Sequence, residues 1–149
     1  IPNSAYGPND NFDLNNSHVL SALVRRFYEA KERNISSVTL WGSGKPKREF
    51  VHADDIVDAC LMLLNRDLSQ DELPINIGVG EDVSIKELAN KIKKIIDYTG
   101  DINWDNTKPD GVHRKLLDSS RIKKFGWEPK VNFDNGLKEI CQWYIDAIK

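Results

Sequence analysis

Apolar positions recur along this chain at two periods, and each stretch predicts an element. A loop rich in Asn, Asp, Gly and Pro runs from Asn3 to Asn16. Asn15, Asn16 and Ser17 then offer N-caps for a helix that carries Leu20, Leu23, Val24 and Phe27 on one face and ends near Asn34. Val38–Trp41 reads as a short strand stopped by Gly42-Ser43-Gly44, and the stretch from Arg48 to His52 reads as extended. Ala53-Asp54-Asp55 places carboxylates where the dipole of a second helix favours them, and Ile56, Ala59, Cys60, Leu63 and Leu64 supply its apolar face. Pro74–Gly80 reads as a buried strand. Ser84-Ile85-Lys86-Glu87 is a capping box, opening a helix that buries Ile85, Leu88, Ala89, Ile92, Ile95 and Ile96. Asp101–Asp105 and Lys115–Asp118 read as strands on either side of a long loop. Ser119 or Ser120 caps a short helix that stops at Gly126. A last helix, from about Asn135, buries Leu137, Ile140, Tyr144 and Ile145.

Strands alternating with helices define an α/β class. The strands are few and short, whereas a doubly wound sheet needs more of them. The expectation is therefore one domain over residues 1–149, with a few short strands and about five helices, leaning on an absent partner. Composition supports a globular chain: 40% of residues are hydrophobic and 30% charged, and no apolar run reaches the ~20 residues of a membrane span. The start, Ile1-Pro2-Asn3-Ser4, carries neither an initiating Met nor a secretory pattern, which is what a chain beginning mid-protein would show.

A net charge of −2 gives no global pull toward nucleic acid. The local balance differs, because Lys108, Arg114, Lys115, Arg121, Lys123 and Lys124 face only Asp110 and Asp118 across the same stretch. Such a segment is either a solvated helix face or a site for an anion such as a diphosphate. Cys60 and Cys141 have no metal-ligand spacing and read as reduced core residues of a cytoplasmic protein.

Several kinds of chemistry are missing from the sequence. No Gly-x-Gly-x-x-Gly loop is present; Gly78-Val79-Gly80 and Gly42-Ser43-Gly44 both lack the third glycine. There is no Tyr-x-x-x-Lys pair and no recognisable Ser/His/Asp or Cys/His constellation.

Three segments carry more information. They are Tyr6-Gly7-Pro8-Asn9-Asp10-Asn11-Phe12 with Ser17-His18-Val19, the run from Trp41 to Asp55 containing Arg48-Glu49-Phe50-Val51-His52-Ala53-Asp54-Asp55, and Lys108-Pro109-Asp110-Gly111-Val112-His113-Arg114-Lys115. The middle pattern is shared by many sugar-nucleotide epimerases and dehydratases. With the other two, the chain resembles the GDP-L-fucose synthase family of extended short-chain dehydrogenases over essentially its whole length, as the substrate-binding C-terminal portion without the N-terminal Rossmann portion.

That resemblance implies a GDP-sugar substrate, an NADP(H) cofactor bound mainly by the absent portion, a homodimeric full-length enzyme and no metal. It implies that His18 lies near the nicotinamide and the sugar and acts as an acid in epimerisation; an imidazole titrates in the right range for that work. Arg26, Trp41, Arg48, Asp110 and Lys115 match substrate-gripping positions. By helix geometry Arg25 shares the face of His18 more closely than Arg26 does. An indole can pack on a base or ribose, a guanidinium can bind phosphate oxygens, and an Asp can accept from guanine or ribose. Pro2, Asn3, Ser4 and Ala5 match a segment bordering the nicotinamide. There the family has Asn two residues before the Tyr, where this chain has Ser4, with Asn3 one place earlier. His52 and His113 read as structural or surface residues. The resemblance places the acid/base cysteine and the catalytic Ser, Tyr and Lys upstream, so the 149 residues by themselves are expected to be inactive. The competing readings are another extended short-chain dehydrogenase, such as a sugar-nucleotide 4-epimerase or dehydratase, and a stand-alone binding module.

Overall fold

The computed structural model describes residues 1–148. Five α-helices and seven short strands alternate along it. Three helices form the main layer. Helix α1 (Val19–Glu32) buries Leu20, Leu23, Val24, Phe27 and Ala30, as its periodicity predicts. Its N-cap is His18, not Asn15, Asn16 or Ser17; those three sit in a turn organised by Asp13, whose carboxylate accepts from the Asn15 amide at 2.9 Å. Helix α3 (Ile85–Ile96) starts at the expected capping box, with Ser84 and Glu87 satisfying each other's free amides, and buries Leu88, Ala89, Ile92 and Ile96. Helix α5 (Phe133–Ala147) begins two residues before the predicted start, because the Asn132 side chain caps the Asp134 and Asn135 amides. It buries Leu137, Ile140, Cys141 and Tyr144, while Ile145 stays half-buried.

The strands pair in three small groups. Strand β1 (Ser4–Tyr6), inside the stretch predicted as loop, lies parallel to β4 (Phe50–His52). Strand β2 (Ser37–Trp41) lies parallel to β6 (Asp101–Asp105). Strand β3 (Lys47–Arg48) sits between β5 (Val83–Ser84) and β7 (Arg114–Lys115). The strand predicted over Lys115–Asp118 is thus confined to Arg114–Lys115, because the Leu117 amide turns away to a side chain. The 74–80 segment is extended but forms only a bridge from Ile77 to Pro2. Ile75 and Ile77 are buried there.

Two apolar cores result. One gathers α1, α3 and α5 around Tyr6, Phe27, Phe50 and Tyr98. The other gathers Val51, Ala59, Ile75, Ile77, Ile122 and Trp127. The adjacent residues Phe50 and Val51 enter different cores, as alternation along a strand requires. Helix α4 (Ser120–Lys124) contributes Ile122 to the second.

Helix α2 (Ala53–Leu64) departs most from expectation. Its period is helical, yet only Asp55 and Ala59 are buried. Val57 and Leu61 are each 56% exposed and Leu64 80%, and Cys60 is exposed rather than part of a core. Nothing among the described residues covers that side of the helix. Its N-terminus is firmly held: His52 is the N-cap, its Nδ1 accepting from the Asp54 amide at 3.3 Å. The Asp55 carboxylate accepts from the amides of Lys130 and Val131 at 2.9 and 3.1 Å. No helix among the described residues is long and apolar enough to cross a membrane.

Candidate functional site

A cleft of about 180 Å³ opens between the start of α1 and the β2–β6 pair, lined by Val19, Leu23, Arg26, Leu40, Trp41 and Trp104, among others. The alternation of β2 sends Val38 and Leu40 inward and leaves Trp41 71% exposed at the strand end. A Trp in such a place is not core packing, and its indole offers a flat apolar face to a ligand. The Lys108 ammonium lies 5.6 Å from the Trp41 ring centroid. His18 immediately precedes Val19, is exposed, and makes no side-chain capping bond, so its imidazole is not spent on the helix.

Arg25 and Arg26 separate clearly. The Arg25 guanidinium donates to Glu29 at 2.7 Å and to the Phe12 carbonyl at 3.1 Å. Arg26 lines the cleft with Trp41.

Beyond Trp41 the chain turns at Gly42, whose φ of +76° favours glycine and whose missing Cβ makes room for the Asp110 carboxylate. Asp110 accepts from the Ser43 amide at 2.7 Å and from the Ser43 hydroxyl at 2.6 Å. The Ser43 hydroxyl, then its amide, hold the Asp110 carboxyl below the usual range. Each carboxylate oxygen therefore takes one donor in joining two loops, and the exposed group keeps acceptor capacity for a base or ribose.

The loop leads on through Gly111 to Arg48, which donates to the Val112 carbonyl at 2.6 Å. Arg48 and Lys115 are register partners in the parallel β3–β7 pair, which sets two basic residues opposite each other on adjacent strands. Arg114, on the other side of β7, is taken by Asp82 at 2.5 Å. Arg121 donates to the Glu72 and Pro74 carbonyls at 2.6 and 3.3 Å. The basic stretch is thus divided: Arg114 and Arg121 brace the fold, and Lys115 stands beside Arg48.

The structure accordingly strings Arg26, Trp41, Asp110, Arg48 and Lys115 along one continuous path. Pro2–Ala5 lie elsewhere, on β1 and its lead-in. Ser4 is half-buried and Ala5 exposed, so both can border a ligand, but the Asn3 side chain is buried and donates to Glu49. Without a glycine-rich loop, these residues could border one end of a dinucleotide but could not cradle its phosphates. His52 is buried and structural, and His113 is exposed. Leu23 and Trp104 are not recognisable from the sequence as lining a site, since apolar residues at helix and strand periods read as core. The larger cavity, about 370 Å³, lies against Tyr6, Phe50, His52, Lys130 and Phe133 and shares only Arg48 with the path. Burial and nearby carboxylates push the Tyr6 phenol well above its ordinary value. Among the described residues no cluster of three or more His, Cys, Asp or Glu could hold a metal ion.

Comparison with known proteins places the chain among relatives of a single kind. Residues 1–78 match the NAD dependent epimerase/dehydratase family. GDP-L-fucose synthase 1 of Arabidopsis thaliana is 49% identical over 148 residues, covering 99% of this chain and 45% of that protein. GDP-L-fucose synthase of Escherichia coli (strain K12) is 42% identical over 153 residues, covering 98% and 48%. A crystal structure of a GDP-L-fucose synthetase from Naegleria fowleri superposes with a TM-score of 0.91 at 29% identity, over 99% of this chain and 45% of that one. The same protein bound to NADP gives a TM-score of 0.89. The chain spans about half the length of the curated relatives it matches.

Proposed function

This chain belongs to the NAD dependent epimerase/dehydratase family, and on that premise we propose that it is the nucleotide-sugar-binding part of a GDP-L-fucose synthase. The full-length enzyme converts GDP-4-keto-6-deoxy-D-mannose to GDP-L-fucose by epimerisation at C3 and C5 and reduction at C4. The observation that carries the reading is the continuous path from the Arg26–Trp41 cleft through the Ser43–Asp110 junction to the paired Arg48 and Lys115. An apolar cleft with an exposed indole suits a base, and two adjacent cations suit a diphosphate.

Arg48 and Lys115 hold the diphosphate, Trp41 packs on the nucleoside, and Arg26 closes the cleft. Asp110 shapes the loop from behind. His18, at the mouth, delivers a proton to the carbon beside the ketone, on the face opposite the one from which a base in the remainder of the enzyme removes it. The hydride for reduction at C4 comes from NADPH when that cofactor is bound; Ser4 and Ala5 border its nicotinamide end. The 149 residues form a substrate-binding domain whose 74–80 segment and α2 complete a Rossmann domain supplied by the rest of the protein. The reading places the enzyme in the cytoplasm, where two unpaired thiols persist, as a homodimer.

Calorimetric titration of the full-length protein with GDP, using UDP as control, tests the reading. Binding of GDP alone supports it, and preference for UDP refers the chain to another member of the family. NADPH consumption with GDP-4-keto-6-deoxymannose should appear in the full-length protein and be absent from the 149 residues alone. His18→Asn in the full-length protein should slow deuterium exchange at C3 and C5 by about 10²–10⁴-fold.

A further inference from the structure

Glu49 is wholly buried, and no Lys, Arg or His among the described residues pairs with it as a salt bridge. A carboxylate removed from water is costly unless its oxygens are satisfied. Here three N–H donors satisfy them, each from a different part of the chain. The Asn3 side chain and the Leu117 amide, at 3.1 Å, donate to Oε2; the Gly80 amide donates to Oε1 at 2.7 Å. Gly78 leaves the space the carboxylate needs, since a Cβ there would fall 2.7 Å from Oε1.

The three donors belong to functionally separate segments. Asn3 leads into β1, whose Ser4 and Ala5 are the residues proposed to border the cofactor. Leu117 follows β7, which carries Lys115. Gly80 precedes β5 on the other side of β3. Glu49 itself follows Arg48, and its amide donates to the Lys115 carbonyl at 3.2 Å. One side chain therefore joins the strand on the cofactor side to the sheet that carries both diphosphate-side cations.

We infer that Glu49 is a positioning residue that fixes the spacing between the cofactor-side strand and the nucleotide-sugar grip. The inference rests on the reading proposed above. Arg48 and Lys115 remain paired through the β3–β7 backbone without the carboxylate, so each half keeps its own ligand when Glu49 is altered. What suffers is alignment between the halves, and a misplacement of about 1 Å costs roughly 100-fold in rate.

The test is made on the full-length protein with Glu49→Gln, which keeps the shape but turns a donor toward the amides, and with Asn3→Ala, which removes the link to β1 together with the acceptor that Asn3 Oδ1 offers the Ser4 amide at 2.9 Å. Both variants should lose roughly tenfold to 100-fold in kcat at saturating substrate and NADPH, with GDP affinity within about threefold of wild type. A role in folding alone would lower the thermal midpoint and leave kcat of the folded enzyme unchanged. The inference is overturned if kcat of both variants stays within about threefold of wild type, or if GDP affinity falls in step with kcat. Should Glu49→Gln not fold, Asn3→Ala decides by the same criteria. If the wild type reduces a UDP-linked keto sugar and ignores the GDP-linked one, the substrate reading fails, and the same comparison is run on the sugar that is used.

Discussion

Ser43 and Asp110 are 67 residues apart in sequence, yet Ser43 gives Asp110 both of its donors, at 2.7 and 2.6 Å. This junction holds the Trp41 turn against the loop that leads to Arg48. The folded-state value of Asp110 lies below its unfolded value, so the contact contributes stability above an unfolded value of roughly 3.9. That contribution is lost as pH falls through the lower folded value. The loop should therefore stay closed at pH 5 and open only below about pH 3.9. Acid titration of tryptophan fluorescence, read as the difference between wild type and Trp41→Phe, checks this. A transition near pH 6 would contradict it.

Arg48→Lys is expected to weaken GDP binding in the full-length protein by about tenfold, or ~1.4 kcal/mol, although charge is conserved. The guanidinium already spends one nitrogen on the carbonyls of Lys47 and Val112, at 2.7 and 2.6 Å, and on the proposed reading the rest of its fork takes the diphosphate. An ammonium cannot do both. Calorimetry of the two proteins against GDP measures the difference.

Phe27 and Leu61 should respond in opposite ways. Phe27 is fully buried among α1, α3 and α5, and Phe27→Ala should cost about 3–5 kcal/mol. Leu61 stands on the uncovered side of α2, so Leu61→Ser in the 149-residue chain should change stability by no more than about 0.5 kcal/mol and improve solubility. Urea denaturation of both variants gives the comparison. In the full-length protein Leu61→Ser should be destabilising if, as proposed, α2 completes a Rossmann domain supplied by the rest of the enzyme.

The two cysteines give an independent reading of the same surface. Burial pushes the Cys141 thiol up to about 12, while Cys60 lies exposed on α2. A thiol reagent should label Cys60 of the 149-residue chain within minutes and Cys141 only after unfolding. In the full-length protein Cys60 should also be protected. Equal labelling of Cys60 in both would show that α2 is not covered.

What the sequence disclosed follows from the range of each interaction. The capping box at Ser84 and Glu87 spans three residues and fixes the start of α3, so local pattern sufficed. Trp41 and Arg48 could be singled out only because they fall within a recognisable family motif. The engagement of Asp110 by Ser43 and of Glu49 by Asn3, Gly80 and Leu117 joins residues 31 to 68 apart. No local period encodes such partners. The period of α2 is legible in the sequence but its burial is not, because an apolar stripe reports only that a helix needs a covering and not which chain supplies it. Trp104 and Leu23 line the cleft while also packing as core, and composition cannot separate those duties.

The consecutive residues Phe50 and Val51 point into different cores, and the chain later returns to each core in turn, through Leu88, Ile122 and Leu137. For anyone building chimaeras this rules out a simple splice. No single cut yields one segment that contains the whole of one core and none of the other, so fusing fragments of two relatives at a point between the cores' first and last residues would break both. On the proposed reading, altered nucleotide preference has to be engineered by substituting side chains in place, along the path from Arg26 to Lys115.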